Sequence, residues 1–187
     1  MLFNSLEFLF VFLPIILIFF SLISNQFRVL FLLISSLIFY GVSGFIALSA
    51  LMLAATVSFF LIRFAKEKKN KITFYSSILF PLIILLNYKY LYFFGVEVLN
   101  FIGLPIIKME SIPFFLKILL PAGMSFYTLQ IISFCIDYYE DKIKPPPFLN
   151  YFLYISFFPQ LIAGPIIRFS QIENQLKNFK NEILDID

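Results

Sequence analysis

The sequence predicts an all-α, polytopic transmembrane protein with a proline-broken, re-entrant helix near its C-terminal end. Three observations carry this expectation. Hydrophobic residues make up 61% of the 187 and charged residues only 13%, against about 25% charged in soluble domains. Uncharged runs of membrane length follow one another with no room for a soluble domain between them. The last such run, residues 145–167, carries Pro159 and Pro165, and a straight helix accommodates neither, because each lacks an amide hydrogen and clashes with the carbonyl four residues back.

The first span covers residues 8–27, uncharged between Glu7 and Arg28 and interrupted by Pro14. Its start has no basic residue and Ser24-Asn25-Gln26 makes no small-residue cleavage site, so it reads as a retained helix and not as a signal peptide. Residues 29–62 carry no charge, and one helix of that length is far longer than a bilayer core of about 30 Å. The run must fold back, and Gly41 and Gly44 supply the turn, leaving a short span at 29–40 and a longer one at 45–62.

Residues 63–71 hold five cations and one acid. The positive-inside rule makes this stretch a cytoplasmic loop, and counting back three crossings puts the N-terminus outside. An anionic-lipid site is the other use for such a cluster. The fourth span, 72–90, contains Pro81 and ends among Tyr88, Lys89, Tyr90 and Tyr92, a residue set typical of a membrane interface. Residues 97–117, with balanced charge and two prolines, read as an external segment lying along the outer interface.

The fifth span, 118–136, is unusually polar. Gln130, Ser133 and Asp137 fall on one helical face, so that face is predicted to turn inward. Asp137 admits two readings, a proton-handling acid or a solvated helix end beside Glu140, Asp141 and Lys142. Cys135, alone, reads as a small buried hydrophobe. Pro145 to Pro147 then stiffen the polar turn. Residues 148–167 form the broken segment. Lipid offers irregular backbone no donors, so such a segment lines a cavity or is buried by protein; a merely kinked, packed helix is the alternative. Residues 169–187 alternate charges with Ile172, Leu176, Phe179 and Ile183, the pattern of an interfacial amphipathic helix.

Three stretches carry a resemblance. FFPQLIAGPIIRF in the broken segment, PAGMSFYTLQIISFCIDYY before it and MLFNSLEFLFVFLP at the start resemble, in order and spacing, the N-terminal part of the membrane-bound O-acyltransferase family, closest to its alginate O-acetyltransferase branch. The resemblance implies transfer of an acyl group, acetyl in that branch, to hydroxyls of an extracytoplasmic polysaccharide such as alginate or another cell-surface glycan, in a tunnel through the cell membrane. Acyl donor, polysaccharide acceptor and acyl-relay proteins are the partners it implies, beside membrane lipids. Pro159, Gln160, Gly164, Pro165 and Arg168 are carried over as signature positions lining the tunnel, not as catalytic groups.

The same resemblance implies an essential histidine that deprotonates the acceptor hydroxyl, a task suited to an imidazole. This chain has no histidine. Family members are much longer, so the chain reads as an N-terminal fragment or truncated form, inactive alone, with the histidine region absent. No cofactor and no metal site are expected, the acids being scattered over helix ends and loops. The net charge of +3 comes largely from residues 63–71 and speaks to topology, not to nucleic acid. A small transporter or channel subunit, or a structural membrane protein, is the alternative that needs no histidine.

The topology is testable by labelling single cysteines. A cysteine at Lys69 is expected to resist an impermeant thiol reagent applied to intact cells and to react once the membrane is permeabilised. Reaction from outside overturns the orientation.

Overall fold

The computed structural model describes residues 5–42, 44–91, 98, 101–103, 123–165 and 167–178. Their regular structure is entirely helical. A π-helical stretch, Phe8–Phe12, leads into α1 (Leu13–Leu22), and a 3-10 turn, Asn25–Phe27, leads into α2 (Arg28–Gly41). Then come α3 (Phe45–Glu67) and α4 (Lys71–Leu86), the latter extended by π-helical turns at Asn87–Leu91. After these stand α5 (Met124–Tyr139), α6 (Phe148–Ser156), α7 (Phe158–Ala163) and α8 (Phe169–Asn178). Phe45–Glu67 and Lys71–Tyr90 are long and apolar enough to cross a membrane.

The packing centres on α3, which touches α2, α4, α5 and α6. Its buried positions are mostly small: Ala47, Ala50, Ala54, Ala55 and Ser58. Small side chains let helix backbones approach closely where lipid supplies no hydrophobic drive for association. Larger residues fill the gaps beside them, with the Phe59 ring 4.9 Å from that of Tyr151 and 5.2 Å from that of Phe148. Helix α6 lies deep in the bundle, its residues from Tyr151 to Ser156 all buried. Leu17, Ile18, Ile38, Leu53, Phe60 and Ile83 stand outward, a face suited to lipid.

Several boundaries depart from the sequence reading. The first span is not one helix over 8–27: α1 stops at Leu22, where Ile23 turns extended, because the polar Ser24-Asn25-Gln26 stretch forms its own tight turn. The cationic stretch 63–71 is mostly helix. α3 runs on through Arg63 and Lys66 to Glu67, all good helix formers, and the turn proper is Lys68 to Asn70, with Lys69 at φ +50° and the Asn70 side chain capping α4 through the amides of Ile72 and Thr73. Lys66 then ties α3 to the end of α5, with its ammonium on the Tyr138 carbonyl and 2.8 Å from the Asp141 carboxylate. The external segment 97–117 lies outside the described residues except at 98 and 101–103, as do 118–122 and 179–187.

Pro81 sits within α4 without ending it. A proline there leaves the carbonyl four residues back, that of Ser77, without its helical donor. The Cys135 thiol of α5 reaches that carbonyl, sulfur to oxygen 4.0 Å. The lone cysteine is thus buried, as expected, and also a weak donor at the site of the proline defect.

Gly123 precedes α5 at φ +79°, and a Cβ there would lie 2.3 Å from the Leu161 carbonyl oxygen of α7. Glycine is required twice over, for the left-handed backbone and for the close approach. Gly123→Ala is therefore expected to cost roughly 2 kcal/mol or more from backbone strain and displacement of α7. Gly41→Ala, whose Cβ would meet only the Leu48 side chain at 3.5 Å, is expected to be tolerated. Unfolding titrations in mixed micelles that find the two variants equally stable would remove the α5–α7 contact from the account.

Candidate functional site

α6 ends at Ser156, Phe157 turns extended (φ −56°, ψ 110°), and α7 starts at once with Phe158. Pro159 occupies the first turn of α7, where its missing amide hydrogen has no helical acceptor to lose. The amide of Phe158 has a partner from outside: Ser36 Oγ of α2 accepts it at 3.3 Å. α7 stops at Ala163, and Gly164 is extended (ψ 156°), the conformation favoured before a proline.

The Gly164 amide still donates to the Gln160 carbonyl at 3.1 Å, and beyond it side chains from α6 and α7 hold the described residues of the stretch from Gly164 to Arg168. Gln160 Nε2 donates to the Pro165 carbonyl at 3.3 Å, and Tyr154 of α6 donates to the Ile167 carbonyl at 2.7 Å. At its end the Arg168 amide donates to Gln171 Oε1 at 3.0 Å, starting α8. Phe169 then packs against Tyr154 and Phe134, with ring centroids 5.4 and 5.5 Å away.

Between α6, α7 and α8 lies a cavity of about 330 Å³ whose wall includes Pro159, Gln160, Gly164 and Pro165 together, with Leu32, Leu153, Phe157, Ile172 and Leu176 among the apolar remainder. Its polar side chains are Gln160, Gln175 and Tyr154, and two of these already bond to the segment they hold. Gly164 is needed for space: a Cβ would lie 2.8 Å from the Gln160 Cα.

Arg168 is not in that wall. It stands in a second cleft of about 260 Å³ with Leu129, Ile132, Ser133, Ile136, Asp137 and Lys142. Its guanidinium lies 3.8 Å from the Asp137 carboxylate, the former side chain 62% exposed and the latter 6%. Asp137 is therefore not a solvated helix end, because the returning chain at Arg168 folds against it. Gln130 is also buried, but it lines neither cavity. The inward polar face of α5 thus divides, with Ser133 and Asp137 at the cleft and Gln130 inside the bundle. The sequence reading missed Ser36 and Tyr154, which single out nothing in their own stretches and matter only through what the returning chain brings to them.

No family model matches the chain, and no solved structure does. Curated relatives do. The chain is 34% identical, over 95% of its length, to a probable alginate O-acetylase of Pseudomonas syringae pv. tomato, of which it covers 35%. It is 33% identical over 99% of its length to a probable alginate O-acetylase of Azotobacter vinelandii, covering 38% of that protein. It is 35% identical, over 37% of its length, to a peptidoglycan O-acetyltransferase of Helicobacter pylori, covering 18% of it. The chain thus spans little more than a third of the alginate O-acetylases it matches.

The cavity gives a direct measurement. With Cys135 replaced by serine, which keeps a donor for Ser77, a cysteine at Gln160 or Ile167 is expected to react with a small thiol reagent. A cysteine at Ile131, fully buried in the hydrophobic core, is expected to stay protected. Equal protection at all three positions means a packed, kinked helix with no accessible cavity.

Proposed function

The chain belongs to the membrane-bound O-acyltransferase family, in its alginate O-acetylase branch, and corresponds to the N-terminal part of those longer proteins; on that premise we propose that it forms one wall of a membrane-embedded site. In that site an acetyl group passes from a donor to hydroxyls of a cell-surface polysaccharide. The names of the relatives support both acetyl transfer and a glycan acceptor. The observation that carries the reading is the convergence of Pro159, Gln160, Gly164 and Pro165 on one cavity.

The segment 148–168 acts as a re-entrant element in this proposal. Its entry follows Lys142 and its exit is Arg168, and both residues line the cleft at the same end of α5. Between them the chain rises to Leu161, whose carbonyl meets Gly123 at the opposite end of that helix. The return places Ile167 back against Tyr154. With the cationic turn at Lys68 to Asn70 on the cytoplasmic side, the protein is a multi-pass cell-membrane protein with its N-terminus outside.

In this arrangement the residues present shape and hold. An acceptor hydroxyl must lose a proton as it attacks, and a positioned base contributes typically about 10² to 10⁴-fold to such a step. Asp137 is engaged with Arg168 in a cleft separate from the Gln160 cavity, and the chain has no histidine. The base therefore comes from outside these 187 residues. Relay proteins that deliver the acetyl group are part of the same proposal.

Membranes carrying the 187-residue chain, a labelled acetyl donor, a polysaccharide acceptor and any relay partner are expected to show no transfer, beside a full-length relative as positive control. In that control, Ala at the position matching Gln160 is expected to lower the rate. Transfer by the short chain at the rate of the control would require a histidine-free mechanism and sink the reading.

A further inference from the structure

The second cleft has the shape of a different site. Leu129, Ile132 and Ile136 fall at i, i+3 and i+7, forming an apolar stripe of about 10 Å along α5. Leu129 stands outward, so the stripe is open to whatever surrounds the helix. Ser133 interrupts the stripe between Ile132 and Ile136, and at the lower end the lining changes to Asp137, Lys142 and Arg168. This is where α5 gives way to the polar turn.

Within the lining alone, the cations outnumber the acids two to one. Arg168 and Lys142 face Asp137, the single acid in the cleft lining. Lys142 also pairs with Glu140 at the rim, 2.5 Å away, with both side chains about half exposed. Asp137 approaches Arg168 from the buried side at 3.8 Å, a distance that steers the guanidinium without saturating it. A guanidinium carries five donors in a planar fork. Those facing outward remain available, as the exposure of this side chain requires.

We propose that this cleft binds an anionic phospholipid, its phosphate between Arg168 and Lys142 and one acyl chain along Leu129, Ile132 and Ile136. An apolar stripe ending in two cations matches a molecule in which an anionic head is joined to an aliphatic tail. A free phosphate would leave the stripe unused. A zwitterionic lipid would bring its own ammonium against both cations. Asp137 acts here as a positioning residue, holding the guanidinium on the helix side so that its outer edge faces the headgroup.

The site stands apart from the Gln160 cavity, and its test needs no catalysis. The 187-residue chain, purified in detergent, is offered equal amounts of phosphatidylglycerol and phosphatidylcholine with the same chains, and bound lipid is counted by native mass spectrometry. Preferential retention of phosphatidylglycerol is expected. Arg168→Gln and Lys142→Gln are each expected to reduce it about five-fold, and Arg168→Lys to restore most of it. Lys68→Gln, outside the cleft, is expected to change nothing, and circular dichroism checks that every variant keeps its helices. Equal retention of the two lipids, or undiminished preference in the folded Arg168→Gln, Lys142→Gln double variant, overturns the proposal. Displacement of the lipid by millimolar inorganic phosphate also overturns it, since the site would then take free phosphate.

Discussion

The structure depends on one constraint: inside a membrane protein a backbone amide or carbonyl that leaves its helix must find another partner, because lipid supplies none. Three interruptions among the described residues are met in that way from another element. At the α6 to α7 break, Ser36 of α2 accepts the Phe158 amide. Along the return, Gln160 and Tyr154 donate to the Pro165 and Ile167 carbonyls. At Pro81, the Cys135 thiol reaches the Ser77 carbonyl. An unsatisfied buried group costs about 1 to 3 kcal/mol, so the breaks persist because neighbouring helices were in place to receive them.

The small face of α3 is what brings those neighbours near enough. Ala50, Ala54 and Ala55 keep the backbones of α3 and α6 close, and the Tyr151 hydroxyl lies 3.2 Å from the Ala55 carbonyl. That contact reaches a carbonyl that lies within α3. With α6 seated in this way, Tyr154 faces the returning chain, and the cavity wall follows from the seating of α6.

The elements legible in the sequence were those written locally. The turn between α2 and α3 announces itself in Gly41 and Gly44, and Ile172 and Leu176 announce the inner face of α8 at their four-residue spacing. The end of α1 was misplaced, because a run without charge marks the extent of an apolar segment and not where Ile23 leaves the helix. The site was legible only as a set of residue types. Pro159 and Pro165 were singled out by the breaks they impose on a straight helix, Gln160 and Gly164 as signature positions of the resemblance, and all four line one cavity. Arg168, three residues further on, left that set because the chain at this point has already turned toward α5. The burial of Asp137 has the same origin. Its neighbours Glu140 and Asp141 are solvated, and a local reading extends their character to it; only a contact from 31 residues away separates them.

The division of the polar residues bears on what this part of the fold contributes to chemistry. Gln160 spends its amide on Pro165, and Tyr154 spends its hydroxyl on Ile167. A group engaged in holding backbone is poorly placed to exchange protons with a substrate, since each exchange would loosen the segment it secures. The cavity wall is otherwise apolar, and apolar walls favour a bound group that demands no hydrogen bonds. Under the proposed function, a wall of this kind would position a reactant and exclude water, with proton transfer left to groups outside it. Separating the two tasks lets the wall be rigid without constraining the pKa of the base. In this chain the bonds from Gln160 and Tyr154 to the Pro165 and Ile167 carbonyls hold the backbone beside that wall.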